Sequence, residues 1–131
     1  MTRTLVSSGS PLEPIIGFSR VARVGPHLSV AGTAPIGPDG ETLHRGDVYQ
    51  QARACFAIAI SALREAGASI QDVTRTRVML TDITRWREAA RAHGDYFADV
   101  RPACTFVGVS QFIDPEWLVE VEVDGFRLEG A

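Results

Sequence analysis

Lysine does not occur in this chain, and all 13 positive charges are arginine. A Schiff-base lysine, a pyridoxal-phosphate anchor and a phosphate-loop lysine are therefore excluded. The arginines are scattered from Arg3 to Arg127 among 16 acids, without the basic cluster that a phosphate backbone needs, so nucleic acid is not an expected partner. Cysteine is scarce too. Cys55 and Cys104 form no CxxC pair and stand at no zinc-ligand spacing from His27, His44 or His93, so no metal site is expected and a reduced, cytoplasmic setting is. Long apolar runs are also missing: no segment suits a signal sequence or a membrane span, and no membrane partner is expected.

What remains is 131 residues with a net charge of −3, 45% hydrophobic and 22% charged, which fits one soluble domain spanning 1–131 with a real core. Val21 to Val24 and Leu28 to Ala31 flank the turn dipeptide Gly25-Pro26 and predict a β-hairpin that ends near Gly32-Thr33. Asp47 stands where a helix N-cap belongs. After it, Val48, Ala52, Cys55, Ala59, Ala62 and Ala66 recur at helical spacing, widened by Phe56 and Leu63, up to a stop at Gly67. Alternation from Thr74 to Leu80 predicts a strand with Thr74, Thr76, Val78 and Leu80 on one face. Trp86, Ala89, Ala90, His93 and Phe97 share a face of a second helix, which ends before Arg101-Pro102. Strands are expected at Ala103 to Val109 and at Leu118 to Phe126.

The order hairpin, helix, strand, helix, strand, strand reads as an α/β (α+β) sandwich, one sheet with both helices on one face. In Ala103 to Val109 neither side reads as solvated, so a neighbouring subunit is the expected cover for the helix-free face. The last strand, Leu118-Val119-Glu120-Val121-Glu122-Val123-Asp124, sends three acids to one face and three valines to the other. Two readings of the acids stand: a solvated face, or a subunit-covered cleft in which desolvation raises one carboxylate pKa into the range useful for proton transfer.

Read in order, Ile16-Gly17-Phe18-Ser19, Val30-Ala31-Gly32-Thr33-Ala34-Pro35, Gln50-Gln51-Ala52, Leu63-Arg64-Glu65-Ala66-Gly67-Ala68-Ser69, Asp72-Val73-Thr74-Arg75-Thr76, Tyr96-Phe97, Arg101-Pro102-Ala103 and Val119-Glu120-Val121-Glu122 resemble the reactive intermediate deaminase (Rid, YjgF-like) family over nearly the whole chain. The resemblance implies a chorismate-mutase-like fold, a homotrimer with clefts between subunits, and cofactor-independent hydrolysis of small enamine or imine intermediates such as 2-aminoacrylate to a keto acid and ammonia. It also assigns Glu120 to positioning water or moving a proton. The family's carboxylate-binding arginine after Pro-Ala is Cys104 here, its usual tyrosine is Phe18, its strand-end serine is Ala31 and its second-helix asparagine is Ala90.

The candidate catalytic residues are thus Glu120 and Cys104, the latter either a nucleophile or a pocket-shaping thiol. The candidate lining is Phe18, Ala31, Thr33, Ala90, Thr105 and Phe106. Losing a guanidinium anchor costs about 2–5 kcal/mol, which predicts altered specificity, away from substrates with an α-carboxylate. Arg20, Arg75 and Arg77 are the candidate replacements, although exposed arginine is the ordinary state. His93 reads as a packed, hydrogen-bonded residue, Cys55 as a small buried one, and Trp117 as a cleft rim or an interface anchor. Gly37-Pro38-Asp39-Gly40 is turn chemistry. Two functions compete: an imine or enamine hydrolase or tautomerase, and a non-catalytic trimer that binds a small metabolite.

Overall fold

The computed structural model describes residues 2–128; Met1 and residues 129–131 of the expected domain lie outside the described residues. Strands β1 (Arg3–Val6), β2 (Val21–Val24), β3 (His27–Thr33), β4 (Val73–Leu80), β5 (Ala103–Gly108) and β6 (Val119–Phe126) form one sheet in the order β1-β2-β3-β6-β4-β5. All neighbours are antiparallel except β4 and β5. Helices α2 (Val48–Glu65) and α3 (Trp86–Phe97) pack on each other, and α2 packs on β3 and β6. A short helix, α1 (Leu12–Ile16), lies between β1 and β2.

β1 and α1 are additions to the expected order. β1 is only four residues long and α1 five, too short for either to show a period.

The helical stripe of α2 is buried as expected, from Val48 through Ala66, and Asp47 caps it by accepting from the Gln50 N–H at 2.9 Å. On β6 the three valines are buried among the core residues, so period two turns the three acids to the opposite face.

Two expectations need correction. In β4 it is Val73, Thr76, Val78 and Leu80 that are buried, while Thr74 is exposed. The register shifts between Val73 and Arg75 against β6, and this bulge moves Thr74 off the inner face. In α3, Ala89, Ala92 and Phe97 are buried, but Trp86, at the first turn, is 42% exposed.

Gln51 is the least expected core residue. Fully buried on α2, it donates to the carbonyls of Leu43 and Glu116 and accepts from the Leu118 N–H. One side chain therefore ties the loop after β3 to the loop before β6. Trp117 adds a second tie, its indole N–H donating to Thr42 Oγ1 at 3.2 Å. Replacing Gln51→Leu takes the partner from three part-buried backbone groups and is expected to cost at least about 2 kcal/mol in urea denaturation. A loss below about 0.5 kcal/mol would show that these loops hold without it.

Candidate functional site

Between β3 and β6 the pairing slips. Val30 faces Val123, but Thr33, three residues on, faces Val121, only two residues back, so the Ala31-Gly32 segment bulges. A bulge leaves backbone carbonyls turned away from the ladder. Here they are taken by Arg20: its Nη1 donates to the Gly32 carbonyl at 2.6 Å, to Thr33 Oγ1 at 3.2 Å and, at 3.5 Å, to the Ala31 carbonyl. Its Nε donates to Ser8 Oγ at 3.1 Å. Ser8 is in turn held by Glu13, whose carboxylate accepts from the Ser8 N–H, the Ser8 hydroxyl and the Ser10 N–H. Burial pushes the Glu13 pKa up, but donors from Ser7, Ser8 and Ser10 outweigh it and hold the carboxyl below its ordinary value.

Beside the bulge lies a cleft of about 980 Å³. Its walls come from the segment after β1 and α1 (Ser8, Leu12, Ile16), from Phe18 and Arg20, from Ala31 to Ala34, and from the loop after β3 (Ile36, Leu43). Ala54, Ala57 and Ile58 of α2, Ile113, Trp117, Glu120 and Glu122 complete them. The lining is mainly apolar with few polar groups, the usual composition of a small-molecule site. Gly32 lets the Glu120 carboxylate come close, since a Cβ on it would stand 3.1 Å from Glu120 Oε1 and push that flexible side chain aside by a few tenths of an ångström.

Glu120 is half-buried, and among the described residues no donor satisfies its carboxylate. Among the described residues no fully buried side-chain oxygen lacks a partner, so both of its oxygens keep access to the cleft that Glu120 lines. Burial raises its pKa, the Arg20 charge pulls it partly back, and the neighbouring Glu122 carboxylate raises it further. Glu122 is held by Arg77 at 2.8 Å. Cys55 is fully buried, and burial and then the Glu120 charge push its thiol well above the ordinary value, so it is an inert packing residue.

Within one chain, then, Phe18, Ala31, Thr33 and Glu120 come together with Trp117 on the cleft wall. Ala90, Cys104, Thr105 and Phe106 do not join them. Cys104 and Phe106 are in register with Thr76 and Val78, so they share the helix side of the sheet, while Glu120 is on the other face with β4 between. A direct Cys104 and Glu120 pair inside one subunit is therefore ruled out by pleat and strand order. Thr105 shares the face of Glu120, but Arg77 of β4 stands between Thr105 and Glu122.

His93 sits beside Phe56, Phe97 and Phe106, with Nε2 2.8 Å from Thr76 Oγ1, and burial lowers its pKa. It is a packed histidine. Arg75 is exposed, whereas Arg20 is only 7% exposed. Sequence reasoning left Arg20 among the exposed arginines, and it is the bulge that draws it in. Among the described residues no three His, Cys, Asp or Glu side chains converge on a point where a metal could bind, and no helix is long and apolar enough to cross a membrane.

The electrostatic coupling of the two cleft glutamates is measurable. Glu122→Gln removes a neighbouring negative charge and is expected to lower the Glu120 pKa, read from its side-chain carboxyl carbon by NMR titration. An unchanged or raised value would show that Glu122 does not act on Glu120.

Comparison with known proteins agrees with this architecture. The family described as endoribonuclease L-PSP matches residues 8–125. A Streptomyces coelicolor protein of uncharacterised function is 41% identical over 123 residues, covering 93% of this chain and 90% of its own length. The 3-aminoacrylate deaminase RutC of Acinetobacter baylyi is 27% identical over 113 residues, covering 85% of each chain. A crystal structure of a Mycobacterium tuberculosis member of the YjgF family superposes with a TM-score of 0.87 at 41% identity, over 96% of this chain and 100% of that one. With the matched segment running from the Ser8 that holds Arg20 to Gly125 in β6, the chain belongs to the YjgF/Rid/RutC family.

Proposed function

We propose that the chain is a cofactor-independent hydrolase of small imines or enamines, with Glu120 as its acid and base. The observation that carries this is the Glu120 carboxylate itself: half-buried, without a donor among the described residues, open to a mainly apolar cleft and raised in pKa by burial. A general base works best when its pKa approaches the working pH, and desolvation moves Glu120 that way. Membership of a family that includes a 3-aminoacrylate deaminase supports a deaminase-like role in general.

In this reading an enamine first takes a proton from Glu120 on its β-carbon and becomes an iminium. Glu120, now a carboxylate, accepts a proton from water as the water oxygen bonds to the iminium carbon. It then returns that proton to nitrogen. As the carbon–nitrogen bond breaks, the hydroxyl gives its proton back to the Glu120 carboxylate, so a carbonyl compound and ammonia leave and Glu120 is again the acid that began the cycle. No electron is gained or lost overall, and water is the only co-reactant. The scattered arginines favour a small molecule over nucleic acid as substrate.

The same reading assembles the chain as a homotrimer in which Ala90, Cys104 and Phe106 of one copy face the Glu120 cleft of another. Support comes from β5, an edge strand where Ala103, Cys104 and Thr105 are exposed and Phe106 and Val107 only half-buried. An edge strand that leaves Ala103, Cys104 and Thr105 exposed and Phe106 and Val107 only partly covered calls for a partner. In this arrangement Cys104 shapes the far wall.

Glu120→Gln is expected to lower ammonia release from an imine generated in situ by about 10²- to 10⁴-fold while the folded mass stays trimeric by light scattering. Unchanged turnover would remove Glu120 from the chemistry, and a monomeric mass would remove the shared cleft. Gly32→Ala is expected to move the melting temperature little, since the group it meets is the end of a flexible side chain. Because it shifts the carboxylate, it should cut turnover by about tenfold or more. A variant with wild-type turnover would show that this close approach does not position Glu120.

A further inference from the structure

Arg20 has more hydrogen-bonding capacity than its structural task uses. Nε and Nη1 hold Ser8 and the bulge, but among the described residues Nη2 has no acceptor. Since no fully buried side-chain nitrogen among the described residues lacks a partner, Nη2 keeps access to the cleft that Arg20 lines. The residue is 7% exposed, yet its guanidinium is in none of the ion pairs formed by the other arginines. The charged groups that face it are Glu13, separated from it by the Ser8 hydroxyl, and Glu120; neither touches it. A buried cation with neutral acceptors on two nitrogens and no counter-charge in contact is incomplete, and an incoming anion would complete it.

The geometry points to Arg20 as the specificity-determining residue of the cleft, its free Nη2 edge taking the carboxylate of a small substrate whose reacting carbon lies toward Glu120. This rests on the hydrolase reading for the identity of the site, but not for the binding of the anion. It alters the expectation drawn from Cys104, because the chain then keeps a carboxylate anchor elsewhere in the fold, on the residue just before β2. With Nη1 committed to the bulge, the contact is one charge-assisted hydrogen bond rather than a two-pronged fork, so Arg20→Met should weaken a carboxylate ligand by about 10- to 100-fold.

Pyruvate, a small keto acid, and its uncharged amide, pyruvamide, are suitable probes on the intact protein. The Arg20 Nε–Hε resonance, identified by its loss in Arg20→Lys, is followed by NMR during titration. A saturable shift with pyruvate and none with pyruvamide is expected, along with weaker pyruvate binding by Arg20→Met. Equal pyruvate affinity in wild type and folded Arg20→Met, or an Arg20 resonance that ignores pyruvate, overturns the assignment. Should Arg20→Met fail to fold once the Gly32 carbonyl loses its donor, the wild-type titration decides alone. The two readings fail separately: Glu120→Gln with full imine turnover removes the hydrolase and leaves the pyruvate shift standing. Glu120-dependent turnover with no pyruvate shift does the reverse.

Discussion

Strand β6 imposes the constraint on which the rest depends. It lies in the sheet between β3 and β4, and its side chains alternate without interruption from Val119 to Asp124. The valines are the floor of the core under α2, so the glutamates have no choice of face. A one-residue slip would bury two glutamates under the helix and expose the valines. Fold stability and the placement of Glu120 are thus one requirement, met by one register.

The bulge in β3 is the second half of the site. An unbroken β3 would continue pairing with β6 at equal steps. The extra residue instead turns the Ala31 and Gly32 carbonyls toward Arg20, and Gly32 leaves room for the Glu120 carboxylate. Burying a guanidinium is costly, and the cost is offset by directed acceptors and by Glu13, which keeps its negative charge through serine donors. A cation and an acid thus border the same cleft without neutralising each other through a direct contact. Gln51 fixes the loops on either side, which keeps Trp117 and Leu43 on the wall.

Much of this was legible in the sequence because it depends on period. The burial of α2, the cap at Asp47, the hairpin around Gly25-Pro26 and the division of β6 into valine and acid faces all follow from spacing and from turn and cap chemistry. Where a residue is inserted, the period misleads. Thr74 reads as inward by alternation and is exposed, because the β4 bulge shifts the pleat.

Pairing across strands is not written in local spacing. Cys104 and Glu120 carry the two site assignments the sequence makes most visible, yet strand order places them on opposite faces with β4 between. Arg20 and Gln51 look like ordinary surface residues. Each is buried because a distant segment presents unpaired backbone groups to it: the bulge for Arg20, and the Leu43, Glu116 and Leu118 backbone for Gln51. The sequence by itself determined the two long helices, the strands β2 to β6, the buried stripe of α2 and that Glu120 leaves the core, since these follow from the period of each segment. Only the tertiary structure decided which arginine enters the cleft, because that choice depends on a hydrogen-bonding need created where two strands, some 90 residues apart in the chain, fall out of step.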